Sequence, residues 1–285
     1  MGTYRGRAPT QNEAQVRILF VADVIGSPGR RTLTQLVRLV RKDVNADLVV
    51  ANGENSAGGF GITPEIVREF LDVGVDVITT GNHVWDKKEI LPLLKTEPRL
   101  LRPHNSPPGN PGRGSVVVES SGVRVAVLNL QGRTFMSPID DPFRAADALL
   151  AELKEQADVV VVEFHAEATS EKQAFARYLD GRVAAVVGTH THVQTADERI
   201  LPKGTARITD LGMTGGMDGI IGMKWELSVE RQLTLTRGER LQPADGDLTL
   251  QGAVVEVDPA TGLARSIERV NVPYERVLQG EFKKK

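Results

Sequence analysis

Apolar residues in this chain gather in short dense runs separated by longer amphipathic stretches. Residues 16–22 (VRILFVA), 47–51 (DLVVA), 75–80 (VDVITT), 159–164 (VVVVEF) and 183–187 (VAAVV) are rich in Val and Ile. Such runs predict strands covered on both faces. Between the first two, Pro28 is suited to opening a helix, and Leu33, Leu36, Val37 and Val40 recur at helical spacing to about residue 44. Thr63 as N-cap, Pro64 at the first position and Glu65 in the first turn mark a second helix start. Further helical segments are predicted at 87–95, from Asp140-Asp141-Pro142 to about 156, and at 170–180. Residues 115–119 and 123–130 flank Ser120-Ser121-Gly122 and read as a hairpin, while 100–105 read as a short edge strand.

The last third changes character. Short runs at 206–210, 248–256 and 266–272 alternate with turns, and the glycine-rich stretch 212–219 reads as a loop. The order is β-α alternation, a hairpin, more β-α, then an antiparallel tail. It predicts an α/β fold of two packed sheets with helices outside, in one domain over residues 16–275. Residues 1–15 read as a flexible N-terminal extension, and 276–285, ending in Lys283-Lys284-Lys285, as a solvated C-terminal tail.

Composition narrows the function classes. The 285 residues carry a formal charge of −2, so there is no general basic footprint for nucleic acid or an anionic membrane surface. With no cysteine, disulfides, thiolate metal sites and Cys nucleophiles are excluded, and a cytoplasmic location fits. No apolar run approaches the ~20 residues of a membrane span, and residues 1–15 lack the apolar core of a secretory signal.

Histidine is scarce. Of five, His83, His165, His190 and His192 follow strand-like runs, and only His104 lies in a loop. Asp23, Glu54 with Asn55, and Asn82 with His83 also stand at or just past strand ends. Ligands gather outside the carboxyl ends of parallel strands, and if these strands are neighbours their ends share one sheet edge. Taken singly, Asp23 fits an N-cap, Glu54-Asn55 a polar turn, Asn82 a left-handed turn position and His165 a buried imidazole bonded to backbone. His190 and His192, two apart on an extended segment, point to the same side. Together the carboxylates, amides and imidazoles suit Mn, Fe, Zn, Ni or Co better than Mg or Ca. They are too many for one ion and suit two, roughly 3.5–4 Å apart, bridged by a carboxylate. Such a pair generates a hydroxide for in-line attack on phosphorus, and a nearby imidazole can protonate the leaving oxygen.

The motif order resembles that of the calcineurin-like metallophosphoesterases: Asp-x-His, Gly-Asp, Gly-Asn-His, a lone His, then Gly-x-His-x-His. Gly81-Asn82-His83 and Gly188-Thr189-His190-Thr191-His192 match outright, and His165 matches the lone His. Two departures stand out. Ile25 replaces the His of the first motif, and Glu54, followed by Asn55, replaces the bridging Asp. Both are similar to a bacterial branch of the family that acts on cyclic nucleotides, 2',3'-cyclic AMP among them.

The resemblance implies a four-layer α/β/β/α sandwich. It implies one metal held by Asp23, Glu54, Asn55 and His192, a second by Glu54, Asn82, His165 and His190, and His83 as proton donor. Fe or Mn is the implied metal, and the neutral Asn55 makes the first ion the more easily lost. The glycine-rich stretches 57–61 and 212–219 are expected to rim the site, with Arg133 simply exposed. The expected partner is a small phosphate ester or cyclic nucleotide, with a homo-oligomer open. Two rivals keep the same centre: a slow-turnover regulatory or binding protein, and an RNA-directed phosphodiesterase, which the near-neutral charge disfavours.

Overall fold

The computed structural model describes residues 15–153, 155–234 and 238–275. The expected extension up to residue 14 and the tail from 276 lie outside them. In chain order the strands are β1 (Val16–Val21), β2 (Asp23–Val24), β3 (Leu48–Asn52), β4 (Val77–Thr79), β5 (Ser115–Ser120), β6 (Val123–Gln131), β7 (Val159–His165), β8 (Ala185–Thr189), β9 (Arg199–Ile200), β10 (Ala206–Ile208), β11 (Met213–Gly216), β12 (Leu248–Asp258) and β13 (Leu263–Pro273). The helices are α1 (Gly26–Asp43), α2 (Pro64–Asp72), α3 (Leu91–Thr96), α4 (Pro142–Leu153), α5 (Thr169–Tyr178) and α6 (Trp225–Thr234).

The strands form two mixed sheets. One runs β2-β11-β12-β1-β3-β4 with β13 beside β12, and the other β5-β6-β7-β8-β10-β9. Within the first, β1, β3 and β4 are parallel. Within the second, β6, β7, β8 and β10 are parallel. Three apolar clusters define the layers. Leu33, Leu36, Val37 and Val40 of α1 pack with Leu19, Val21 and Val49 on the outer face of the first sheet. Ile18, Phe20, Val50 and Val77 meet Val127, Val161, Val187 and Ile208 between the sheets. Leu149 of α4 and Phe175 of α5 cover Val162 and Phe164 on the outer face of the second sheet. The fold is thus an α/β/β/α sandwich, and each central strand is apolar on both faces because both are covered.

The inter-sheet face places the chemistry. Side chains alternate along a strand, so every second residue enters the middle layer. That row is apolar until the C-terminal end of each strand and then turns polar. Leu48 and Val50 lead to Asn52, Val77 to Thr79, Val159 and Val161 to Glu163 and His165, and Ala185 and Val187 to Thr189. All of these polar residues are buried.

Three expectations need correction. The strand ends do not share one sheet edge, because β3 and β4 belong to one sheet and β7 and β8 to the other. Residues 100–105 form only isolated bridges, at Leu100 and Leu101. Half of the stretch 212–219 is strand β11, paired with β2 and β12. Its glycine at 216 is needed for close packing, since a Cβ there would collide with the backbone carbonyl of Ala244. Helix α6 escaped notice because it buries none of its residues, and Trp225, Val229 and Leu233 form only a narrow exposed stripe.

Candidate metal centre

Asp23 opens β2 just after β1, and Glu54 and Asn55 lie in the turn after β3. The amide of Glu54 donates to Asn52 Oδ1 at 3.0 Å, which ties that turn to the strand end. Gly81-Asn82-His83 follows β4. Gly81 is required for proximity: a Cβ there would run into the His165 ring, while its φ is not in the left-handed region. From the second sheet, His165 is the last residue of β7, and His190 and His192 follow β8.

The two histidines after β8 are not on an extended segment. Both have left-handed backbones, φ 101° at His190 and 63° at His192, a strain of about 1–3 kcal/mol each for residues other than glycine. Asp210 braces the turn between them. Its Oδ2 accepts Thr191 N at 3.1 Å and Thr191 Oγ1 at 2.8 Å, and pairs with the buried Lys172 Nζ at 2.7 Å. The strained turn sends the two rings to different places.

Two groups of donor atoms result. In one, the side-chain amide nitrogen of Asn55 lies 3.5 Å from Asp23 Oδ1, 3.3 Å from Glu54 Oε1 and 3.2 Å from His192 Nε2. Turning that amide over presents its oxygen to the same point. In the other, His165 Nε2 lies 2.9 Å from Glu54 Oε1, 3.1 Å from Asn82 Oδ1 and 3.0 Å from His190 Nδ1. Ligand atoms of Glu54, His165 and His190 all lie within 4.8 Å of one another. Glu54 Oε1 belongs to both groups, and its Oε2 accepts the backbone amide of His83 at 3.0 Å.

This donor set fits a cation. A ring nitrogen carries at most one hydrogen, so His165 Nε2 cannot satisfy three heteroatoms at once. Asp23, Glu54 and His165 are fully buried. Burial pushes the Asp23 carboxyl up against the pull of His192 and His165. Burial opposes ionisation of Glu54 as well, but the charge and hydrogen bond of His165 outweigh it and bring Glu54 down to about 2. Burial likewise disfavours charge on His165, yet Glu54, Asp23 and Glu163 raise it to about 9. At His190 burial and then the neighbouring His165 charge act together, lowering it to about 3.

Each ring that faces a donor group is anchored at its other nitrogen, the pattern that orients metal-binding imidazoles. His165 Nδ1 meets Thr189 Oγ1 at 2.9 Å, His190 Nε2 meets Glu167 Oε2 at 3.1 Å, and His192 Nδ1 meets Ile221 O at 3.0 Å. His83 stands apart from both groups. Its Nδ1 meets Asp86 Oδ2 at 2.9 Å, and the edge of its ring packs against Phe60 of the 57–61 loop at 5.0 Å between centroids. Arg133 is about half exposed and pairs with Asp141 at 2.9 Å.

Sequence reasoning missed Glu163, Thr189, Glu167 and the Lys172–Asp210 pair. Only Glu163 carried a signal, as a lone carboxylate inside an otherwise apolar strand.

Comparison with known proteins identifies the family. The family model for YmdB-like proteins matches residues 19–270. The chain is 50% identical over 255 residues to the 2',3'-cyclic-nucleotide 2'-phosphodiesterase of Bacillus subtilis, covering 90% of this chain and 96% of that one. The crystal structure of a novel phosphatase from Mycoplasma pneumoniae superposes with a TM-score of 0.85 at 33% identity, over 92% of this chain and 95% of that one. A hypothetical protein from Thermus thermophilus superposes with the same TM-score of 0.85 at 44% identity, over 90% of this chain and 99% of that one. With the two-sheet sandwich and the polar strand ends brought together, the chain belongs to the YmdB-like family of metallophosphoesterases, hydrolases that act on phosphoric esters.

Proposed function

We propose that residues 16–275 form one catalytic domain that hydrolyses a cyclic phosphodiester, a 2',3'-cyclic nucleotide being the favoured substrate. The observation that carries this is the sharing of Glu54 Oε1 between two converging donor groups. The proposed holders are Asp23, Glu54, Asn55 and His192 for one ion and Glu54, Asn82, His165 and His190 for the other. Fe or Mn suits this mixture of oxygen and imidazole ligands. Bound there, two such ions supply Lewis acidity toward phosphoryl oxygens and acidify water near neutral pH.

The chain's own residues divide the remaining work. Glu54 holds the two groups together through Oε1 and fixes the backbone of His83 through Oε2. His83, kept out of both groups, is the general acid. Its Nδ1 hydrogen bond to Asp86 leaves Nε2 to deliver a proton, and the contact with Phe60 limits the ring's swing. The name of the B. subtilis relative specifies the 2' ester. By that likeness the oxygen of water bonds to phosphorus, the P–O2' bond breaks and O2' takes the proton from His83, leaving a nucleoside 3'-phosphate; the proton lost by the water goes to solvent, from which His83 is reprotonated. Among the described residues no helix is long and apolar enough to cross a membrane. We place the enzyme in the cytoplasm, which the lack of cysteine supports.

A substrate panel tests the reading. Protein stripped with chelator and reloaded with Mn or Fe is expected to hydrolyse 2',3'-cyclic nucleotides faster than mononucleotides. No diesterase activity from protein holding its metals sinks the proposal.

A further inference from the structure

The metal-ligand residues come from two sheets, so something must hold those sheets in register beneath them. Glu163 lies there, 1% exposed, in the middle layer. Its Oε1 accepts Asn52 Nδ2 of the first sheet at 2.6 Å and Thr189 Oγ1 of the second at 3.2 Å. Its Oε2 accepts Thr79 Oγ1 at 2.5 Å. Burial raises the Glu163 carboxyl to about 7, and in its ionised form it can only accept, which sets the direction of each bond. The Thr189 hydroxyl has one hydrogen and gives it to Glu163, so it must accept from His165 Nδ1–H across the paired positions of β7 and β8. In the neutral ring that can bind a metal, this leaves the lone pair of His165 on Nε2, the atom facing Glu54 Oε1 and Asn82 Oδ1. On the other side, Asn52 gives its amide hydrogen to Glu163, so its Oδ1 is free to accept the backbone amide of Glu54 at 3.0 Å.

We propose that Glu163 and Thr189 are positioning residues, one buried carboxylate and one hydroxyl that orient the His165 ring and the Glu54 turn from below. Neither touches substrate. The inference rests on the two-metal reading above, and it says that the tautomer and aim of His165 are imposed by a relay through Thr189. Loss of such an outer partner typically lowers metal affinity about 10- to 100-fold.

The test is titration of the metal-free full chain with Mn²⁺, with elemental analysis of Mn per chain and thermal unfolding as the check on folding. Thr189→Val is expected to weaken Mn²⁺ binding about 10- to 100-fold, and Thr189→Ala, which adds no bulk, to do the same. Thr189→Ser, which keeps the hydroxyl, is expected to bind like the parent. Thr79→Val is the control. It removes an equivalent hydrogen bond to Glu163 but touches no ligand, so it is expected to lower the melting temperature and leave Mn²⁺ affinity unchanged. Parental affinity in both Thr189→Val and Thr189→Ala overturns the inference. So does a loss in Thr79→Val as large as in Thr189→Val, which makes the role merely structural. A parent that binds fewer than two Mn²⁺ overturns the two-metal reading instead.

Discussion

Glu54→Gln is expected to lose both metal ions and nearly all activity. The variant keeps the shape of a side chain that is fully buried, so the fold should survive. It cannot keep the hydrogen bonding. If the amide oxygen takes the place of Oε1, its NH2 faces the backbone N–H of His83; if it turns over, the NH2 takes the Oε1 position that both donor groups share, where a metal needs a lone pair. Either way a donor points where an acceptor is needed. The charge that two metal groups share is also gone. A catalytic metal contributes several kcal/mol of transition-state stabilisation, and each 1.36 kcal/mol is tenfold in rate, so a loss of at least about 10³ in kcat is expected. Elemental analysis beside a turnover assay checks both halves. Two metals retained by a folded Glu54→Gln variant would remove Glu54 from its shared role.

His83→Ala is expected to separate catalysis from metal binding. The tie of His83 to Glu54 runs through its backbone amide, which alanine retains, and neither ring nitrogen lies in a donor group. Metal content should therefore match the parent. Removal of a general acid costs about 10²–10⁴ in rate. The loss should be large for 2',3'-cyclic AMP, whose leaving ribose oxygen needs a proton, and small for bis(p-nitrophenyl) phosphate, whose phenolate leaves without one. Equal losses on the two substrates would assign His83 to binding or structure rather than proton delivery. The comparison also bears on the regulatory alternative, since a pure binding module has no turnover for the variant to lose.

The local parts of this centre were legible in the chain because each sits where an apolar run stops. Val77, Ile78 and Thr79 end at Gly81-Asn82-His83, and the run VVVVEF ends at His165. Periodicity identifies such runs as strands, but not which sheet each joins. The expectation of one shared edge failed for that reason: β3 and β4 stand opposite β7 and β8. The extended geometry assumed for His190 and His192 failed because left-handed backbones at both depend on Asp210 and Lys172, which are distant in sequence. The need for glycine at 81 was hidden too, because the ring of His165, from the other sheet, is what excludes a side chain there. The relay under His165 was hidden for a similar reason. Asn52, Thr79, Glu163 and Thr189 lie on four strands, and only the packing of two sheets makes them neighbours.

In the proposed centre one carboxylate oxygen, Glu54 Oε1, is common to two metal positions and joins the two halves of the site. Crystals of the Mn²⁺-loaded protein, with data collected for anomalous scattering, test this most directly. The expected map has two peaks roughly 3.5–4 Å apart, both in contact with Glu54, one beside Asn55 and His192 and the other beside Asn82, His165 and His190. A single peak, or two peaks of which one does not touch Glu54, contradicts it.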